Sequence, residues 1–270
     1  MRRTFLCTLL VIGSLTVGFL ACQRNEGATP ATGSLAITFN NVVGSQDLAL
    51  NTGTYQNAAG EQFTVALLNY FVSNIRLKRA DGSEYVVPQD SSYFLIREAD
   101  PASQVVTLRS VPVGDYTSLT YMIGVDSLRS TMDISRRKGV LEPAGTTNSG
   151  MYWDWNSGYI FFKLEGTSPQ APVDPTGTPR FQYHVGLFGG YDTKTLNNLR
   201  TPTVSFGSNT VSVQAAQTTP ISLKADVLRV FDGKTQVSIV KNSTVMVSPY
   251  SANLADNYAQ MFQFVPQQPK

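Results

Sequence analysis

Few side chains in this sequence are equipped for chemistry. Among 270 residues there are one histidine, His184, and two cysteines, Cys7 and Cys22. The two tryptophans both lie in Gly150-Met151-Tyr152-Trp153-Asp154-Trp155-Asn156-Ser157-Gly158-Tyr159-Ile160. So small an inventory gives no support to a Ser-His-Asp triad, a Cys-His pair or a His-rich zinc site. A glycine-rich phosphate loop, an H-E-x-x-H helix and a calcium-loop pattern are all missing. Carboxylates are plentiful, but no spacing sets two of them across a cleft. The expectation is a protein that is not an enzyme.

What remains is the segment that holds Met151, Trp153 and Trp155, and the one imidazole, His184. If their segment is extended, Met151, Trp153 and Trp155 share one face while Tyr152 and Asp154 take the other. The same spacing describes a core strand whose rings fill the interior. His184 lies in the run Phe181 to Leu187, opposite Phe181, Tyr183 and Val185, so it faces either solvent or another layer. It is then a hydrogen-bonded structural residue or a ligand.

The elements that must position these residues read as short strands. Leu35, Ile37 and Phe39 alternate with more polar neighbours. So do Leu119, Tyr121, Ile123 and Val125; Ile160, Phe162 and Leu164; and Phe181, Tyr183, Val185 and Leu187. Asp81-Gly82 between Leu77 and Tyr85 marks a hairpin. Breakers such as Pro112-Val113-Gly114-Asp115 and Pro172-Val173-Asp174-Pro175 separate the runs. Helix signals are confined to Ala225–Phe231 and Ser251–Phe262. The pattern predicts an all-β body, an antiparallel β-sandwich with Greek-key-like connections and one or two short helices, spanning 34–270 as a single domain. Phe181, Tyr183, Val185, Ile160, Phe162 and Leu164 are expected to point inward.

Residues 1–21 read as an export signal: Arg2 and Arg3, an apolar stretch from Phe5 to Leu20, then an abrupt polar change after Ala21-Cys22. Phe19-Leu20-Ala21-Cys22 is similar to a bacterial lipobox, in which Cys22 becomes the acylated first residue of the mature protein. Residues 22–33, small and polar, then form a tether to the folded body. Export with Cys7 removed and Cys22 lipidated leaves no thiol for a disulfide, so stability must come from the core. Removing Arg2 and Arg3 from 21 basic residues leaves 19 against 19 acidic ones. A balanced chain has no electrostatic footprint for nucleic acid. Localisation follows as the bacterial cell envelope, an outer-membrane lipoprotein with its body on the periplasmic or surface face, attached to the membrane through Cys22.

Several stretches together resemble the MbnP-like family, copper-associated exported proteins linked to methanobactin operons. They are Leu35 to Asn41, Tyr70 to Leu77, Tyr93-Phe94-Leu95-Ile96, Val111 to Tyr116, Ile123-Gly124-Val125-Asp126-Ser127, the Trp153 segment and Tyr183-His184-Val185-Gly186. The resemblance implies copper held by a tryptophan oxidised to kynurenine together with histidines. Trp153 matches the modified tryptophan and His184 one of the histidines. Trp155 stands where a copper-binding relative has its other histidine, and an indole N–H donates a hydrogen bond but has no lone pair to give a metal. Met151 with His184, beside Trp153 and Trp155, is therefore the candidate copper(I) site. A partner oxidase or metal-transport protein is implied as well. The alternative function is a non-catalytic surface lipoprotein that binds glycans or partner proteins through Tyr152, Tyr159 and Tyr191 without metal. Asp126 and Arg129 are read as a structural ion pair closing the turn after Val125.

Overall fold

Two-residue periodicity builds the body directly. In the strand Thr32–Val43, Leu35, Ile37 and Phe39 are fully buried while Ser34, Ala36 and Thr38 are only partly covered. One apolar face per strand requires a second layer to bury it. The computed structural model describes residues 30–144, 150–153 and 158–266. The expected signal peptide and Cys22 lie outside these residues, as does Trp155.

Among the described residues the strands are β1 (Thr32–Val43), β2 (Gln46–Asp47), β3 (Tyr55–Gln56), β4 (Gln62–Arg79), β5 (Glu84–Val86), β6 (Tyr93–Arg97), β7 (Val105–Pro112) and β8 (Gly114–Ile123). They continue with β9 (Tyr152–Trp153), β10 (Gly158–Thr167), β11 (Arg180–Gly186), β12 (Thr203–Ser205), β13 (Val211–Val213), β14 (Thr218–Asp226), β15 (Thr244–Val245) and β16 (Phe262–Val265). Helices are short: α1 (Ser127–Ser130), α2 (Leu228–Phe231) and α3 (Ser251–Tyr258). The last two fall inside the segments marked in the sequence.

One sheet runs β16-β14-β1-β2, with β7 also on β1; the other runs β12-β8-β4-β10-β11-β15. Most pairings are antiparallel, as expected. Two are parallel, β1 with β14 and β11 with β15. Both join strands distant in sequence, which hairpin signals cannot announce. The sheets meet over a shared core in which the Phe39 ring lies edge-on to Tyr70 and Tyr121 at 6.2 and 5.8 Å. Phe162, Leu164, Phe181, Tyr183 and Val185 all reach it and are fully buried.

Ile160 is buried too, but on the other side of the larger sheet. A β-bulge between Ile160 and Phe162 breaks the alternation of β10, so Ile160 and Phe161 join a second apolar cluster while Phe162 stays in the first. This second cluster gathers Phe71, Val125, Met151, Trp153 and Tyr159. Residues 70 and 72 of β4 belong to the main core, so Phe71 between them marks the opposite face of the same sheet. The larger sheet thus carries a core on each side, and the outer one lies beside His184.

Candidate outer-face site

His184 occupies the outer face of β11, as its alternation with Tyr183 and Val185 predicts. It is paired across the ladder with Lys163 of β10. Its side chain is only 12% exposed, and its Nε2 lies 2.7 Å from Glu165 Oε1. The His184 hydrogen bond holds the Glu165 carboxyl below its ordinary range, against the opposing effect of burial. Glu165 is therefore a carboxylate at neutral pH and can only accept. The imidazole must donate from Nε2, so in the neutral ring Nδ1 is the nitrogen with a lone pair. Lys163 Nζ stands 3.6 Å from the same Glu165 oxygen and donates to the Gly150 carbonyl at 3.4 Å. That contact draws the start of the Trp153 segment to this face.

β9 pairs antiparallel with β10, Trp153 opposite Gly158 and Tyr152 opposite Tyr159, and Ile160 N–H donates to the Met151 carbonyl at 2.8 Å. Met151 is fully buried and Trp153 is 8% exposed. The six-membered ring of Trp153 lies against Gly186. A β-carbon built on Gly186 would stand 2.6 Å from Trp153 Cζ3 and 2.5 Å from the Tyr159 carbonyl oxygen. Residues 184 and 186 project to the same side of β11. Trp153 and His184 accordingly share one face, separated by one alternation step. Gly186→Ala is expected to displace the indole and to cost about 1–3 kcal/mol in chemical denaturation, as overpacking does. An unchanged unfolding midpoint and tryptophan emission would contradict that seating.

Two residues missed in the sequence complete the neighbourhood. Glu165 is one; the β10–β11 register sets it beside His184. Met246 is the other. It follows the last paired residue of β15, where Val245 stands beside Tyr183, and it packs half-buried on the second cluster with Met151 and Trp153. A parallel pairing of this kind leaves no local signal.

The floor of the site is braced from two directions. Asn198 donates to the Gly186 carbonyl at 2.7 Å and to Ser251 Oγ at 2.9 Å, tying the end of β11 to α3. Leu187, next in the chain, adopts φ 75°, a conformation rare for a leucine. Its carbonyl accepts from Asn198 N–H and its side chain is buried in the second cluster, which holds the strained backbone in place. On the other side the buried Arg137 donates to the carbonyls of Ser130 and Met132 and to Tyr152 Oη at 3.2 Å. Its guanidinium stands 5.7 Å from the ring centres of both Tyr152 and Tyr159.

Tyr159 is wholly buried, its hydroxyl donating to the Leu141 carbonyl and its pKa pushed up to about 12 by burial. It cannot serve an aromatic surface. Tyr152 is half-covered and engaged by Arg137, so Tyr191, 70% exposed, is left alone of the three. The expected Asp126–Arg129 ion pair is also redrawn. Asp126 caps α1 by accepting from Arg129 N–H and accepts from the Tyr93 hydroxyl, while the Arg129 guanidinium pairs with Asp90. Each charge thus has a partner other than the one expected from the sequence.

The sequence model of the MbnP family, described as MbnP, matches residues 32–247. Among solved structures, MbnP from Methylosinus trichosporium is similar at a TM-score of 0.50 and 16% identity, over 81% of this chain and 82% of that one. At that identity the likeness is one of fold. Among curated proteins, no relative matches. The family match takes in the larger sheet, all of the smaller one but β16, and the outer-face cluster from β1 through Met151, Trp153, His184 and Met246, and the chain belongs to the MbnP family.

Proposed function

We propose that this protein binds copper(I) on the outer face of its larger sheet, and that it does so as an exported, lipid-anchored member of its family. The observation that carries this reading is the convergence of unlike soft groups on one face. Trp153 rests on Gly186, His184 lies one alternation step away, and two methionines, Met151 and Met246, pack in the same cluster as Trp153.

The donor set fits the ion. Copper(I) accepts few, soft and uncharged ligands, for which two thioethers and one imidazole are suited. Zinc and copper(II) prefer several nitrogen, thiolate or carboxylate donors, and among the described residues no group of three His, Cys, Asp or Glu comes together. His184 would bind through Nδ1, with Glu165 fixing the ring from behind as carboxylates commonly do for metal-binding imidazoles. Met151 and Met246 would supply sulfur. Trp153 walls the site and excludes water. Trp155, lacking a lone pair, takes no part as an ordinary ligand. Conversion of Trp153 to kynurenine by a partner oxidase, with dioxygen as the oxidant and the indole C2 carbon leaving as formate on hydrolysis, would add an aryl amine donor at that wall. Delivery to or from a metal-transport protein, and attachment through an acylated Cys22 to the outer membrane, complete the proposal.

Competition against a colorimetric copper(I) chelator tests it. His184→Ala should lower copper(I) affinity tenfold or more, since one of few donors is lost. Glu165→Gln should lower it about tenfold, as removal of the group that orients a metal-binding imidazole does. Wild-type protein that fails to hold copper(I) against the chelator, or an affinity untouched by His184→Ala, would overturn the reading.

A further inference from the structure

The loop that follows β8 forms one wall of a cavity of about 560 Å³. Its lining includes Tyr93, Arg129, Met132, Arg136, Lys138 and Leu141. Three of these are cations. Asp90 is the one acid on the lining, and its carboxylate is already engaged by Arg129. Among the described residues, Arg136 and Lys138 have no carboxylate within ion-pair distance. Arg137, next to both in the chain, adds a buried positive charge met, among the described residues, by carbonyls, the Tyr152 hydroxyl and the rings of Tyr152 and Tyr159.

Arg129 is the most informative of the group. Its side chain is 13% exposed, and its guanidinium stacks 5.3 Å from the centre of the Tyr93 ring, which fixes the plane of the fork. Its Nη1 reaches only a weak acceptor, Met132 Sδ at 3.5 Å, and its buried Nε–H has no acceptor among the described residues. A buried donor left unmade is costly, so its presence beside a cavity calls for a ligand that accepts. The Asp90 side chain is 87% exposed. That carboxylate occupies one corner of the fork from solvent and can be displaced.

We propose that this cavity binds an organic oxyanion: a phosphate or carboxylate head held by Arg129, Arg136 and Lys138, on a small apolar body lying against Met132 and Leu141. The cation set supplies charge-assisted hydrogen bonds, and Arg129 offers the planar geometry that such heads match. The volume lies within the range of small-molecule sites and is far more than a bare oxyanion fills. Of the described residues lining it, none is a proposed copper donor, so the two readings stand or fall separately.

Titration calorimetry on the metal-free full chain tests this, with phenyl phosphate and benzoate as probes and inorganic phosphate and phenol as controls. At least one of the two aromatic anions should bind saturably and more tightly than inorganic phosphate, and phenol should not bind. The double substitution Arg136→Ala and Lys138→Ala, both at exposed positions, should weaken the aromatic anion tenfold or more while leaving the melting temperature unchanged. Arg129→Lys should weaken it as well, because an ammonium keeps the charge but loses the fork. Absence of saturable binding by both aromatic anions would overturn the proposal. So would an affinity unaffected by the double substitution.

Discussion

Glu61→Ala is expected to lower the free energy of unfolding by about 3–5 kcal/mol, since it removes the acceptor of four donors at once, two of them, Asn57 Nδ2 and Ile239 N–H, buried. The carboxylate, 7% exposed, accepts from Asn57 Nδ2, Ser238 Oγ and the backbone N–H groups of Ile239 and Val240, at 2.7, 2.7, 2.7 and 3.1 Å. It thereby clamps the turn before β4 to the segment preceding β15. Burial opposes ionisation, but these four hydrogen bonds outweigh it and hold the carboxyl below its ordinary value of 4.5. A depressed folded pKa contributes stability that is present above the unfolded value and lost as pH falls through the folded one. Urea unfolding at neutral pH and below pH 4 should therefore show wild type losing part of its margin over Glu61→Gln in acid. A margin independent of pH would contradict an ionised clamp.

Trp153→Ala is expected to cost about 3–5 kcal/mol, the usual range for removing a buried aromatic ring. The loss concentrates in the outer cluster, because the indole fills the space over Gly186 and closes the cluster beside His184. Copper(I) affinity should fall with it, since the water-excluding wall is gone. Trp153→Phe keeps an apolar ring there and should recover most of the stability. Hydrogen exchange would localise the effect: faster exchange in β9 and the start of β10 for Trp153→Ala, little change in β1 and β14. A uniform change across both sheets would show that the outer cluster is not a separate unit.

Much of this architecture was legible because burial imposes a period of two on each strand. Phe181, Tyr183 and Val185 gave the inner face of β11 and therefore the outer position of His184. The sequence also carried Trp153 and Met151 to one face. Ile160 was misassigned to the inner face, because a bulge at Phe161 changes the phase of β10 and bulges have no fixed sequence signature. Glu165 and Met246 were invisible for a different reason. Each acquires its place through register with another strand, and in the case of β15 through a parallel pairing with no turn to set it. The charged turn after Val125 was expected to close on an Asp126–Arg129 pair, but Arg129 finds its carboxylate in Asp90, from a distant part of the chain.

The central claim is that His184 nitrogen and methionine sulfur hold copper(I) on the outer face. X-ray absorption at the copper edge of the copper(I)-loaded protein reads those donors directly. The account predicts a first shell of low coordination containing both nitrogen and sulfur, with the sulfur contribution reduced in Met246→Leu and the imidazole signature lost in His184→Ala. A first shell made only of nitrogen and oxygen, the same in wild type and both variants, would contradict it.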